Sequence, residues 1–126
     1  MKETILWLDD IRDPEKPFRG DPEYPSWSWV YNKSYFEFDD PKVIWVKDYE
    51  EFKSWIKDNG LPDAICFDHD LGYGPSGKAA AAWLVEYCID NQKPLPLYAS
   101  QSDNPVGREN ILSLLDNFKN KYTWKQ

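Results

Sequence analysis

Three short apolar runs that never alternate set the tightest limit on how this chain can fold. Ile5-Leu6-Trp7-Leu8, Val43-Ile44-Trp45-Val46 and Ala64-Ile65-Cys66-Phe67 are apolar at every position. A strand with one wet face alternates, whereas a run without polar breaks needs cover on both faces, as in a parallel sheet wrapped by helices. A fourth run, Leu95-Pro96-Leu97-Tyr98, contains a proline that cannot donate to a ladder, which places it at an edge or a bulge.

Helical patterns fill the gaps between these runs. Asp48 and Glu51 form a D-x-x-E variant of the capping box. Phe52, Trp55 and Ile56 follow at i, i+3, i+4, and Gly60 is a natural stop. Residues 76–91 are Ala-rich, with Trp83, Leu84, Tyr87 and Cys88 on roughly one side. Asn104-Pro105 reads as a cap followed by proline at the first helical position, and Ile111, Leu114, Leu115 and Phe118 continue that helix. Strand–helix alternation over this length predicts a parallel α/β sheet in one domain spanning residues 1–126.

Two stretches break the alternation. Residues 11–41 are long enough for a crossover, but Pro14, Pro17, Pro22, Pro25 and Pro41 leave little room for a regular helix. We read 17–41 as an aromatic insertion, because it carries Phe18, Tyr24, Trp27, Trp29, Tyr31, Tyr35, Phe36 and Phe38. Those rings either pack over the sheet where a helix would lie, or supply Trp27 or Trp29 to stack on a base of a bound ligand. At the other end, Tyr122-Thr123-Trp124 is the candidate for a short fifth strand.

Composition removes whole classes of function. A net charge of −7 argues against binding duplex DNA through its phosphates, which needs a basic face. No apolar run approaches the ~18 residues of a membrane span, and the N-terminus lacks the order of a signal peptide. Cys66 and Cys88 both lie in apolar stretches, as expected of reduced core thiols in a cytoplasmic protein.

The chemistry concentrates where strands end. Ligands of open parallel sheets bind beyond the carboxyl ends of the strands. Those ends read Asp9-Asp10, Asp68-His69-Asp70 and Ser100-Gln101-Ser102-Asp103-Asn104. Carboxylates crowded on one edge repel, so a cation is expected among them, and hard oxygen ligands suit Mg²⁺ (or Mn²⁺) better than zinc. His69, the only histidine, is a candidate to give or take a proton near neutral pH.

Two motifs need care. Residues 72–78 match the spacing G-x-x-x-x-G-K, but Ala79 follows, so the hydroxyl that a P-loop places on Mg²⁺ is missing; a Gly-rich loop is the better reading. Gly107 and Arg108 fall in the first turn of the last helix, an end that the helix dipole makes unfavourable for cations. Arg108 there is read either as a phosphate contact or as the partner of a surface carboxylate.

Three blocks resemble a known family. Leu6-Trp7-Leu8-Asp9-Asp10-Ile11-Arg12-Asp13-Pro14, Phe67-Asp68-His69-Asp70-Leu71-Gly72 and Ser102-Asp103-Asn104-Pro105-Val106-Gly107-Arg108-Glu109-Asn110 are similar to the cyclic-phosphate-processing receiver-like domains. These are a divergent branch of the response-regulator receivers. The resemblance implies a flavodoxin-like, doubly wound parallel sheet of order 2-1-3-4-5, here with the insertion in place of the first helix and the fifth strand short or missing. It implies that Asp9, Asp10 and Asp68 hold Mg²⁺, with Asp68 also the phosphoacceptor position. Where the family has His-Ser before its Asn-Pro-Val-Gly block, this chain has Gln101-Ser102, and Gln101 cannot titrate.

The expected function is a Mg²⁺-dependent phosphoesterase acting on a cyclic phosphate of a nucleotide, an RNA end or a related small ligand. Asp68, Asp70 and His69 are its catalytic candidates, with a covalent aspartyl-phosphate on Asp68 as one variant. Gln101, Ser102, Asn104, Gly107 and Arg108 are the phosphate-binding candidates, with Trp27 and Trp29 for the base. Two alternatives stay open. One is a receiver-like module that senses a cyclic nucleotide or accepts phosphate without turnover; the other is a protein-interaction domain using the aromatic insertion.

Overall fold

The computed structural model describes residues 2–11, 14, 36–39, 41–72, 74–102 and 104–121. Four parallel strands, β1 (Thr4–Leu8), β2 (Lys42–Val46), β3 (Ala64–Phe67) and β4 (Leu97–Ser100), pair in the order β2-β1-β3-β4. This is the expected 2-1-3-4-5 order through its fourth strand. The candidate fifth strand at 122–124 and most of the 17–41 insertion, Trp27 and Trp29 included, lie outside the described residues.

The strand at the described edge sits two residues later than its apolar run. β4 starts at Leu97 and runs through Ala99 to Ser100. Pro96 has no N–H to place in the ladder, so the pairing begins after it.

Three helices follow β2, β3 and β4: α1 (Tyr49–Asn59), α2 (Gly77–Asn91) and α3 (Pro105–Lys121). At α1 the Asp48 side chain accepts from Glu51 N at 2.9 Å. The Glu51 carboxylate returns the contact to Lys47 N at 2.9 Å, one residue before the cap. Gly60, with φ +85°, ends the helix by donating its N–H to the Ile56 carbonyl. Ser76 caps α2 through Ala79 N.

All three helices pack on the sheet face that carries Leu6, Leu8, Ile65 and Phe67. They contribute Phe52 and Ile56, then Leu84 and Cys88, then Ile111, Leu115 and Phe118. Each fully buried side chain of this size contributes about 1.5–3 kcal/mol. Ile5, Trp7, Ala64 and Cys66 form the opposite face. Phe36 and Phe38, stacked at 5.6 Å, pack against it with Val43 and Trp45. These two rings of the insertion therefore serve as sheet cover.

Both thiols are free and buried. Burial pushes the Cys66 thiol well up, and the Cys88 thiol up to about 11. No helix among the described residues is long and apolar enough to cross a membrane.

Candidate functional site

The site is built by residues that prolong the ladder one step past each strand. Asp9 N donates to the Val46 carbonyl at 3.0 Å, Asp68 N to Leu8 at 2.9 Å, and Gln101 N to Phe67 at 3.1 Å. The Asp9 carbonyl also accepts from the indole Nε1 of Trp45 at 2.7 Å. The backbones of Asp9, Asp68 and Gln101 thus share the order of the sheet.

On this frame Asp9, Asp10 and Asp68 come together: one carboxylate oxygen from each lies within 4.8 Å of the others. Asp9 is fully buried, Asp68 nearly so, and Asp10 half-exposed. Three carboxylates this close repel, and removing them from water deepens the cost. The donor set is all hard oxygen, without thiol or imidazole, and it fits a divalent cation such as Mg²⁺ or Mn²⁺. Gly72 (φ +71°) lies against this trio, since a Cβ there would stand 2.9 Å from Asp10 Oδ2.

A second cluster surrounds His69. Its Nδ1 lies 2.9 Å from Asp70 Oδ1, and Asn104 Nδ2 donates to Asp70 Oδ2 at 3.2 Å. Asn104 Oδ1 in turn accepts from Gly107 N at 2.9 Å, which caps α3. The His69 and Asn104 hydrogen bonds hold the exposed Asp70 carboxyl below the usual carboxylate range. An ionised carboxylate only accepts, so Nδ1 carries the hydrogen and Nε2 keeps the lone pair in the neutral ring.

The remaining candidates face inward more than the sequence implied. Ser102 is buried, its Oγ accepting from Asn104 N at 3.1 Å and its carbonyl from Arg108 Nη1 at 2.8 Å. Arg108 thereby ties the first turn of α3 to the loop before it, using one of its five N–H donors. Gln101 is also buried, and its Nε2 donates to the Leu8 carbonyl at 3.0 Å and to Asp9 Oδ2 at 3.2 Å. Trp27 and Trp29 lie outside the described residues.

The Gly-rich loop is occupied with structure. Gly77 N donates to the His69 carbonyl at 2.8 Å, and a Cβ on Gly77 would fall 1.8 Å from the Asp68 carbonyl oxygen. Gly77 thus lets α2 start directly against the end of β3. Sequence reasoning passed over this role, and that of Trp45, although a tryptophan inside a buried run always raises the question of where its N–H goes.

A family model described as "Cyclic-phosphate processing Receiver domain" matches residues 4–117. Among solved structures, the chain is similar to a signal receiver domain of a two-component histidine kinase from Clostridium thermocellum. The TM-score there is 0.54 at 17% identity, covering 95% of this chain and 94% of that one. It is similar to the N-terminal domain of a response regulator/sensory box/GGDEF 3-domain protein from Carboxydothermus hydrogenoformans, with TM-score 0.53 and 21% identity over 88% and 74% of the two chains. A third similar structure is a fusion carrying the yeast Spc42 trimeric coiled coil, with TM-score 0.55 and 19% identity; 90% of this chain matches 63% of that one. At these identities the likeness concerns the fold. No curated protein matches the chain.

Proposed function

The chain belongs to the family of cyclic-phosphate processing receiver domains, and from that premise we propose that it is a divalent-cation-dependent phosphoesterase. Its substrate would be a cyclic phosphate on a nucleotide, an RNA end or a related small ligand. The observation that carries this reading is the gathering of Asp9, Asp10 and Asp68 oxygens within 4.8 Å at the carboxyl edge of a parallel sheet. These three residues would hold Mg²⁺ or Mn²⁺, which when bound neutralises charge on the phosphoryl oxygens.

The protein's own groups account for the proton. In hydrolysis, a water oxygen forms the new P–O bond and one ring P–O bond breaks. His69 takes the water's proton at Nε2 and returns one to the leaving hydroxyl. Asp70 and Asn104 do not move that proton; they orient the ring through Nδ1. The experiment is a panel of cyclic-phosphate substrates with Mg²⁺, with chelator, and with Asp68→Asn. Product that forms only with wild type and cation supports the reading; full retention in Asp68→Asn with chelator present overturns it.

One observation favours a second reading. The position where the family has histidine holds Gln101, which is turned into the protein onto Asp9. A receiver-like binding or signalling module needs no acid or base there. Time-resolved incubation separates the two, because a sensor gives saturable binding and no product.

A further inference from the structure

We propose that Gln101 is a positioning residue: it holds the Asp9 carboxylate in the orientation that offers a lone pair to the cation, and so sets how tightly the site takes Mg²⁺ or Mn²⁺. The inference rests on reading Asp9, Asp10 and Asp68 as a cation site, and not on hydrolysis.

Gln101 is 7% exposed, and its contacts are those of a bracket rather than of a ligand-facing group. Its Nε2 carries two hydrogens, and two acceptors meet them: the Leu8 carbonyl at 3.0 Å and Asp9 Oδ2 at 3.2 Å. Leu8 is the last residue of β1, and its carbonyl already accepts from Asp68 N at 2.9 Å. The Gln101 amide is therefore fixed to a point of the ladder before it reaches Asp9. The other Asp9 oxygen, Oδ1, accepts from Ile11 N at 3.1 Å. A donor thus meets each oxygen of Asp9 and restrains both side-chain torsions, and a carboxylate has about four acceptor sites in all.

The chemistry of the donor matters as much as its place. An amide orients a carboxylate without bringing a positive charge that would compete with the cation. Outer partners of this kind usually change metal affinity by about 10–100-fold. Asparagine, one methylene shorter, would not span from the end of β4 to Asp9.

The test titrates Mg²⁺ and Mn²⁺ into wild type, Gln101→Met and Gln101→Asn by calorimetry, with melting temperatures measured free of metal. Methionine keeps the length and removes the donor. We expect both variants to bind the cation about 10–100-fold more weakly than wild type. A variant that melts lower but binds as wild type does would show a merely structural role and overturn the proposal. If wild type itself binds no cation, the site reading falls and this proposal with it, which is a distinct result. A second measurement needs only wild type: the Gln101 side-chain amide resonances should shift with the same saturation as cation binding. Resonances indifferent to saturating Mg²⁺ would overturn the proposal even if the variants do not fold.

Discussion

The imidazole of His69 occupies the space that a side chain on Gly107 would need. A Cβ built at Gly107 would stand 2.4 Å from His69 Cγ and 2.7 Å from Cδ2. The first turn of α3 therefore serves as a bed for the ring that Asp70 grips from the side.

Gly107→Ala should displace that ring. Helix propensity gains up to ~1 kcal/mol, which offsets part of the crowding against the ring and against His69 Cβ at 2.8 Å. The expected result is a melting temperature within a few degrees of wild type and turnover reduced by ~100-fold, as for a general base moved out of place. Cation affinity, read by calorimetry, should stay close to wild type, because the ring's hydrogen bond goes to Asp70, which is not one of the three clustered carboxylates.

Asp70→Ala removes the acceptor of both His69 Nδ1 and Asn104 Nδ2. Exposed polar pairs of this kind contribute little to stability. The variant should therefore fold normally and lose kcat with little change in KM. Equal loss in KM alone would assign Asp70 to substrate binding instead.

Two glycines separate crowding from backbone strain. At Gly77 an added Cβ meets the Asp68 carbonyl at 1.8 Å, a backbone contact that cannot swing aside. Gly77→Ala should cost ~3 kcal/mol or more and abolish cation binding, since Asp68 must shift. Gly60→Ala meets nothing within 4 Å and only strains the backbone, whose φ of +85° and ψ of −175° suit glycine almost alone, so ~1–3 kcal/mol is expected. Urea denaturation of both variants, beside a Mg²⁺ titration, reads the difference.

Cation binding should show as stability. With Mg²⁺ at 100 times its dissociation constant, linkage predicts a gain of about 2.7 kcal/mol, reversed by chelator. Asp10→Asn removes one of three mutually repelling charges. It should raise the metal-free melting temperature slightly while abolishing the Mg²⁺-induced rise. A variant that still gains stability from Mg²⁺ would place the cation elsewhere.

Stability should fall as the solution becomes alkaline. Cys88 rises from an ordinary 9.0 to about 11 on folding, and burial raises Cys66 as well. Burial, followed by the Asp116 contact, also raises Tyr98. The unfolded chain releases these protons first, so the urea midpoint should decline from about pH 9 upward. Cys88→Ala should flatten part of that slope, even if it lowers stability at neutral pH by leaving a cavity.

The sheet was legible because unbroken apolar runs have few other uses, and Asp9, Asp10 and Asp68 were legible because they follow such runs. Pro96 marked the fourth strand as an edge or a bulged one, but not that pairing would wait until Leu97. Side-chain direction was not legible. Whether Gln101 faced a phosphate or Asp9 depends on how far β4 stands from β1 across β3, a tertiary distance. Gly77 sat inside a P-loop-like spacing, and only the closeness of α2 to the Asp68 carbonyl shows why glycine is needed there.

Asp9, Asp68 and Gln101 each hang from the last rung of the ladder, with backbone bonds to Val46, Leu8 and Phe67. Their chain path is set first by the sheet's own pairing. The chemistry of this edge can therefore be rewritten one side chain at a time. Replacing Gln101 by another side chain would change what faces Asp9 without any strand having to be relaid, because the backbone bond to Phe67 stays in place.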